Sequence, residues 1–268
     1  MHDDTIYFSS LREPFAQLKS QLNYFNVLNI SGVPLSSDRF TEYLTNLEKY
    51  ETVYKSTKAA PTRYCIPDGF SMSRNVMSFI LGFPNGFNER TRDMADDREF
   101  VQLWISKLKT ELDFVVLTEY FYESLVLLRR TMCWKLKDVL FSTQNTLPYK
   151  YRHQRDPKLV HIYKDWSKVD YVLYDTFNRS MWNTFLQQES EFWDEVKYLR
   201  KVNNEVNEFC ESKNKTNDFM IAETHWNEMI VIKSSFCRLL KDDLLSELQK
   251  RYDAQLPIIV EGEPPRTC

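Results

Sequence analysis

Glycine is nearly missing from this chain: Gly32, Gly69, Gly82, Gly86 and Gly262 are the only five in 268 residues. That weighs against glycine-rich phosphate loops and against turn-dense all-β folds. The five cysteines (Cys65, Cys133, Cys210, Cys237, Cys268) include no C-x-x-C pair, and the four histidines have no ligand spacing. No metal site is therefore expected, and neither a Cys–His nor a Ser–His hydrolase can be argued. A formal net charge of −3 gives no support to nucleic-acid binding. No apolar run approaches the ~18 residues of a membrane span. The opening MHDDTIYF is acidic and reads as neither signal peptide nor anchor.

What is present is a globular composition, 43% hydrophobic and 27% charged, with 15% aromatics to fill a core. Residues 5–11 read as a short strand and Pro14 as the first residue of a helix. Phe15, Leu18, Leu22 and Phe25 form that helix's buried stripe. Helices are expected over 38–50, 71–82 and 98–111, with 51–70 irregular and 83–97 a polar insert. The segment 114–121, FVVLTEYF, is the clearest buried strand, and a helix follows from Glu123. A short helix is expected at LKDVLFS. Helix, strand and helix in succession imply a parallel α/β arrangement. Residues 166–186, 187–212 and 225–253 read as helices, and the proline-rich end as a loose tail.

The strand-to-helix step at LREPFAQLKS is the first candidate site. A helix start aims backbone N–H groups and the positive dipole end at one spot. Arg12 can fork onto a phosphate, and Ser20 adds a hydroxyl. The competing reading is a surface arginine paired with Glu13 or Asp4, beside a solvent-facing serine. VYKSTKAA, 53–60, lacks the strand and helix of a phosphate loop and reads as solvated loop. Glu119 and Glu123 flank a strand exit, where α/β sites lie, although helix capping explains Glu123 equally well. The sequons at Asn29, Asn178 and Asn214 are a pointer to a secretory route.

The stretch 112–145, LDFVVLTEYFYESLVLLRRTMCWKLKDVLFSTQN, resembles the galactose 3-O-sulfotransferase family, which includes the galactosylceramide sulfotransferases. LREPFAQLKSQLNYF, SRNVMSFILGF and FNRSMWNTF resemble further family segments in the same order, and Cys210 and Cys237-Arg238 fall into line. The resemblance implies an α/β fold with a P-loop-like parallel sheet flanked by helices and a mainly helical C-terminal half. It implies one partial domain over 1–255, with 1–150 the α/β part, 151–255 helical, and 256–268 the tail. It implies Arg12 and Ser20 as ligands of the 3′-phosphate of the donor 3′-phosphoadenylyl sulfate. Arg74, Asn75 and Glu119 fall in recurrent family segments as possible lining residues.

The reaction implied moves a sulfuryl group to the 3-hydroxyl of a terminal galactose on a glycolipid or glycoprotein, in the Golgi, with no metal. The family's phosphosulfate loop, its histidine segments with the catalytic base, and its membrane anchor would all lie upstream of Met1. Glu13 stands in place of an Asp of the family, and so does Tyr122. The expectation is therefore an N-terminally truncated member. Its rivals are a non-catalytic remnant that binds glycan or a protein partner, and a fragment that does not fold.

Overall fold

A computed structural model describes residues 5–35, 38–56, 71–84, 94–143, 156–212 and 218–241. The chain divides into two units that alternate along the sequence. One takes Met1–Phe121 and Pro148–Gln187, the other Tyr122–Leu147 and Gln188–Thr267. The architecture is mixed α/β and mostly helical, with a small parallel sheet in the first unit.

That sheet pairs β1 (Phe8–Leu11) with β2 (Phe114–Leu117), Leu11 opposite Leu117. The expected strand 114–121 is shorter than its apolar run. β2 pairs only as far as β1 reaches, and β1 stops at Leu11 because Pro14 opens α1 (Pro14–Tyr24). Beyond Leu117 the backbone tightens into a 3-10 turn, Thr118–Tyr120, and enters α7 (Phe121–Met132).

α1 buries Phe15, Leu18 and Leu22 as its spacing requires. α2 (Val27–Ile30), α3 (Arg39–Thr45) and α4 (Leu47–Ser56) follow. With α8 (Pro157–Trp166) and α9 (Lys168–Leu186), these helices enclose a core rich in rings, Phe15, Phe40, Tyr43, Tyr50 and Tyr163 among them. Phe15 meets Phe40 edge-on at 5.7 Å. Lys19, buried on α1, sets its ammonium 4.8 Å from the Phe15 ring centre, a cation–π contact.

Two expected helices break. The one over 38–50 divides at Asn46, whose side-chain amide donates to the Glu42 carbonyl at 3.1 Å and so competes with the helix ladder. Its second half, α4, runs on to Ser56, so 53–56 of VYKSTKAA are helical, while 57–60 lie outside the described residues. The one over 71–82 shrinks to α5 (Val76–Ile80). Ser71 Oγ accepts from the amides of Ser73 and Arg74, at 3.2 and 2.9 Å, and folds 71–75 into a turn. α6 (Arg98–Glu111) appears as expected, capped by the Asp97 carboxylate on Phe100 N–H at 3.0 Å.

The second unit holds α7, a 3-10 turn at Leu136–Val139, α10 (Ser190–Glu211), and an antiparallel hairpin, β3 (Phe219–Ile221) with β4 (Ile230–Ile232). α11 (Ser234–Lys241) follows. The hairpin corrects the first part of the helical reading of 225–253; Ser234–Lys241 is helical as expected, and 242–253 lie outside the described residues. The Ile-Val-Ile run at 230–232 is β-branched throughout, and Asn227 organises the turn before it. α10 buries Phe192, Val196, Leu199, Val202 and Val206 in steps of three and four. A disulfide joins Cys210 at its end to Cys237 on α11.

The two described glycines both close helices. Gly32 and Gly82 have φ of 69° and 86°, with hydrogen bonds from Val33 N–H to Leu28 O and from Phe83 N–H to Ser78 O. Each is a Schellman cap. α7 ends the same way without glycine: Cys133 has φ 53°, its N–H reaches Arg130 O, and Trp134 N–H reaches Arg129 O at 3.0 Å.

Candidate functional site

β1 and β2 run parallel, so their carboxyl ends lie side by side and deliver Arg12 and Thr118–Glu119 to one edge of the sheet. This is where ligands sit on open α/β sheets. A cleft of about 250 Å³ opens here, lined by Ser9, Ser10, Arg12, Gln17 and Thr118 on its polar side and by Met77, Ile80 and Leu81 on its apolar side. Its polar lining residues are Ser9, Ser10, Arg12, Gln17 and Thr118, with no acidic residue among them, a composition that suits an anion.

The start of α1 differs from the expected open cradle. Pro14 brings no N–H, and the next two amides are already engaged. The Glu13 carboxylate accepts from Phe15 N–H at 3.2 Å and from Ala16 N–H at 2.8 Å. Glu-Pro is itself a cap signal, an acidic N-cap followed by proline at the first helical position, and reading it would have found this. An anion at this edge would therefore meet side chains rather than free amides at the start of α1. Ser20 is half-buried one turn beyond Gln17 on α1 and is not among the residues lining the cleft.

Glu119 organises the edge. Its carboxylate accepts from Glu13 N–H at 2.9 Å and from the Tyr174 hydroxyl at 3.1 Å, tying the β1–α1 turn to the end of β2 and to α9. Burial first, and then the Glu119 charge, push the Tyr174 phenol upward, so it stays a donor at any physiological pH. Glu123 instead faces Arg200 within the second unit, at 3.5 Å. Tyr122 carries the Arg200 guanidinium over its ring at 4.7 Å and accepts from Asn203 at 3.4 Å.

Arg74 and Asn75 are buried, 6% and 0% exposed, and neither lines the cleft. The Arg74 guanidinium lies 5.2 Å from the Trp166 ring centre. Asn75 caps α9, its Oδ1 accepting from Val169 N–H at 3.0 Å, and its own N–H donates to Ser167 Oγ at 2.8 Å. In return Asp170 caps α5, accepting from Ser78 N–H at 2.8 Å and from Ser78 Oγ at 2.5 Å. Burial raises the Asp170 carboxyl to about 6, against the opposing pull of those hydrogen bonds.

A second buried acid, Glu51, accepts from Ser73 Oγ at 2.6 Å, Met72 N–H at 3.3 Å and Tyr43 OH at 3.3 Å. Burial raises its pKa, and burial lowers that of Lys55 one turn on. Glu51, Ser73 and Asp170 escaped the sequence reading because a polar residue bound for a core looks the same in sequence as one bound for water.

Of the sequons, Asn29 is exposed, its Nδ2 donating to Asn26 Oδ1 at 2.5 Å and its Oδ1 accepting from Arg39 at 2.7 Å. Asn178 lies mid-way along α9, and Asn214 lies outside the described residues. Among the described residues, no group of three or more His, Cys, Asp or Glu side chains is placed to hold a metal, and no helix is long and apolar enough to cross a membrane.

Comparison with known proteins decides the family. The family model described as Galactose-3-O-sulfotransferase matches residues 1–227 of the chain. The chain belongs to the galactose-3-O-sulfotransferase family. Mouse galactose-3-O-sulfotransferase 3 is 32% identical over 186 residues, which cover 68% of this chain and 38% of the mouse protein. Mouse galactose-3-O-sulfotransferase 2 is 28% identical over 212 residues, covering 78% and 49%. Human galactosylceramide sulfotransferase is 28% identical over 218 residues, covering 77% and 45%. The chain thus spans less than half the length of these family members. No solved structure matches it.

Proposed function

We propose that this chain carries the part of a galactose 3-O-sulfotransferase that holds the 3′-phosphate of 3′-phosphoadenylyl sulfate, at the carboxyl edge of the β1–β2 pair. The carrying observation is the cleft lined by Arg12 with Ser9, Ser10, Gln17 and Thr118 and by no acidic residue. Arg12 is the phosphate ligand, by paired charge-assisted hydrogen bonds. Ser20, on α1 and not among the residues lining the cleft, is the second ligand of this reading. Glu119 is a positioning residue that fixes the main chain at Glu13 and, through it, the bearing of Arg12.

The donor supplies the sulfuryl group. The acceptor is the 3-hydroxyl of a terminal galactose, on a glycolipid or a glycoprotein. An in-line transfer of this kind rests on positioning and on charge stabilisation more than on covalent catalysis. The leaving-group clamp and the base that takes the sugar proton are assigned to no residue of this chain. The two-stranded parallel pair is read as part of a P-loop-like sheet. The Cys210–Cys237 disulfide supports an oxidising compartment, and with it the Golgi lumen. The sequons at Asn29, Asn178 and Asn214 are candidate attachment points there.

The test is thermal unfolding of the full chain with adenosine 3′,5′-bisphosphate. Ligand at about 100 times its Kd adds about 2.7 kcal/mol of stability, which moves the midpoint by several degrees. Arg12→Ala is expected to abolish the shift and Ser20→Ala to reduce it. No shift in the wild type, or a full shift in Arg12→Ala, overturns the assignment.

A further inference from the structure

The second unit holds a larger cleft that the donor reading leaves unused. It measures about 520 Å³ and opens between the segment after α7, Trp134–Lys137, and the loop that joins β3 to β4. The loop is built to hold a shape. Asn227 accepts from Tyr198 OH at 2.8 Å and from Thr224 Oγ1 at 2.7 Å, and it donates to the carbonyls of Ala222 and Glu228 at 3.0 and 2.8 Å. Arg129, from α7, donates to the Trp226 carbonyl and to Glu195, and Arg130 takes the second Glu195 oxygen at 2.7 Å. Trp226 is backed by Tyr198, with ring centres 4.9 Å apart, and by His225 at 3.9 Å.

Three properties define what fits. The lining mixes charges and is near neutral, Arg129, Lys135 and Lys137 against Glu223 and Glu228, with Lys135 paired to Glu228 at 3.2 Å and Arg129 already held by Glu195. Phosphate or sulfate would gain little here and would face two carboxylates. Two tryptophans line the cleft, and among the described residues no other ring stacks on Trp134. The exposed polar side chains of the lining, Lys135, His225 and Glu228, offer both donors and acceptors, so the site favours a ligand that carries both. An uncharged ring with one C–H face for a tryptophan and hydroxyls around its edge meets all three demands. β-Galactopyranose is such a ring, its C–H groups at positions 3, 4 and 5 lying on one face.

We infer that this cleft is a saccharide site that takes a galactose-terminated glycan, with Trp134 as the stacking platform and Lys135, His225 and Glu228 as partners for its hydroxyls. The choice of galactose rests on the proposed function; the sugar class rests on the cleft. The test is titration of the full chain with lactose, read by tryptophan fluorescence and by saturation-transfer NMR.

Lactose is expected to bind, with strongest saturation at the galactose C–H groups. Trp134→Ala is expected to weaken binding about tenfold or more, equivalent to about 1.4 kcal/mol. Trp134→Phe should keep most of the affinity, and Glu228→Gln should weaken it without changing the melting temperature. Arg12→Ala should leave it unchanged. Absence of lactose binding, or equal binding by folded Trp134→Ala, overturns the inference. The bisphosphate titration separates the two readings. A chain that binds bisphosphate but not lactose sinks only this site, and one that binds lactose through Trp134 but not bisphosphate sinks only the donor site.

Discussion

Asn75 and Asp170 cap each other's helices. Asn75 Oδ1 accepts from the first amides of α9, Val169 at 3.0 Å and Asp170 at 3.3 Å, and Asp170 accepts from the first amides of α5, Met77 at 3.2 Å and Ser78 at 2.8 Å. Asn75 sits at φ 50°, a left-handed backbone that asparagine tolerates better than most residues. Asn75→Ala loses the cap inside a core and strains the backbone together, so a loss of about 2–3 kcal/mol is expected in urea unfolding. Asn75→Gly loses the cap but relieves the backbone, and about 1 kcal/mol of that loss should be recovered. Equal losses for the two variants would show that the left-handed backbone is not what selects Asn75.

The Asp170 carboxyl titrates near 6 in the folded chain against an ordinary 3.8. The folded state therefore holds the proton more tightly than the unfolded one. This group's contribution to stability is fully present below about pH 4 and is lost as pH rises through about 6. The stability advantage of wild type over Asp170→Asn is expected to shrink between pH 4 and 6 and to level off above. Glu51, also raised by burial, adds to the wild-type trend and cancels in this difference. A difference that stays flat or widens over that window, measured by urea midpoints, contradicts the assignment.

Cys133 occupies the left-handed position of a Schellman cap, exposed and with its thiol free. Glycine there carries no Cβ to strain. Cys133→Gly is expected to stabilise the chain by about 1 kcal/mol, which calorimetry would show as a rise of a few degrees at most. A fall in the melting temperature would mean that the thiol makes a contact worth more than the strain.

The parts of the fold legible in the sequence were those carried by periodicity. α1 was read from Pro14 and the spacing of Phe15, Leu18 and Leu22, and α10 from its run of buried apolar residues; α6 was read as a helix, but on a face of Phe100, Leu103, Trp104 and Leu108, whereas Val101, Ile105 and Leu108 are buried and Leu103 is exposed. The parts that were missed depend on partners distant in the chain. The length of β2 is set by β1, 106 positions earlier, and α5 is cut short by a serine turn and held by Asp170. At the site, Arg12 was legible as a cation at a strand exit and does line the cleft, whereas Glu13 was overlooked as a cap. Arg74 and Asn75, expected as possible lining from the resemblance, are buried, and Asn75 caps α9, an arrangement that sequence does not separate from a pocket lining.

The clasp also sets the order in which the chain comes into shape during synthesis. Ser78 waits for Asp170 across 92 residues, which at ribosomal speeds of about 5–20 residues per second takes roughly 5 to 20 s. A five-residue helix does not persist alone in water, so α5 stays uncommitted for that interval while the intervening segment leaves the ribosome. A nascent chain halted before residue 167 therefore carries β1 and α1 but no closed first unit, and its buried serines remain within reach of chaperones and proteases.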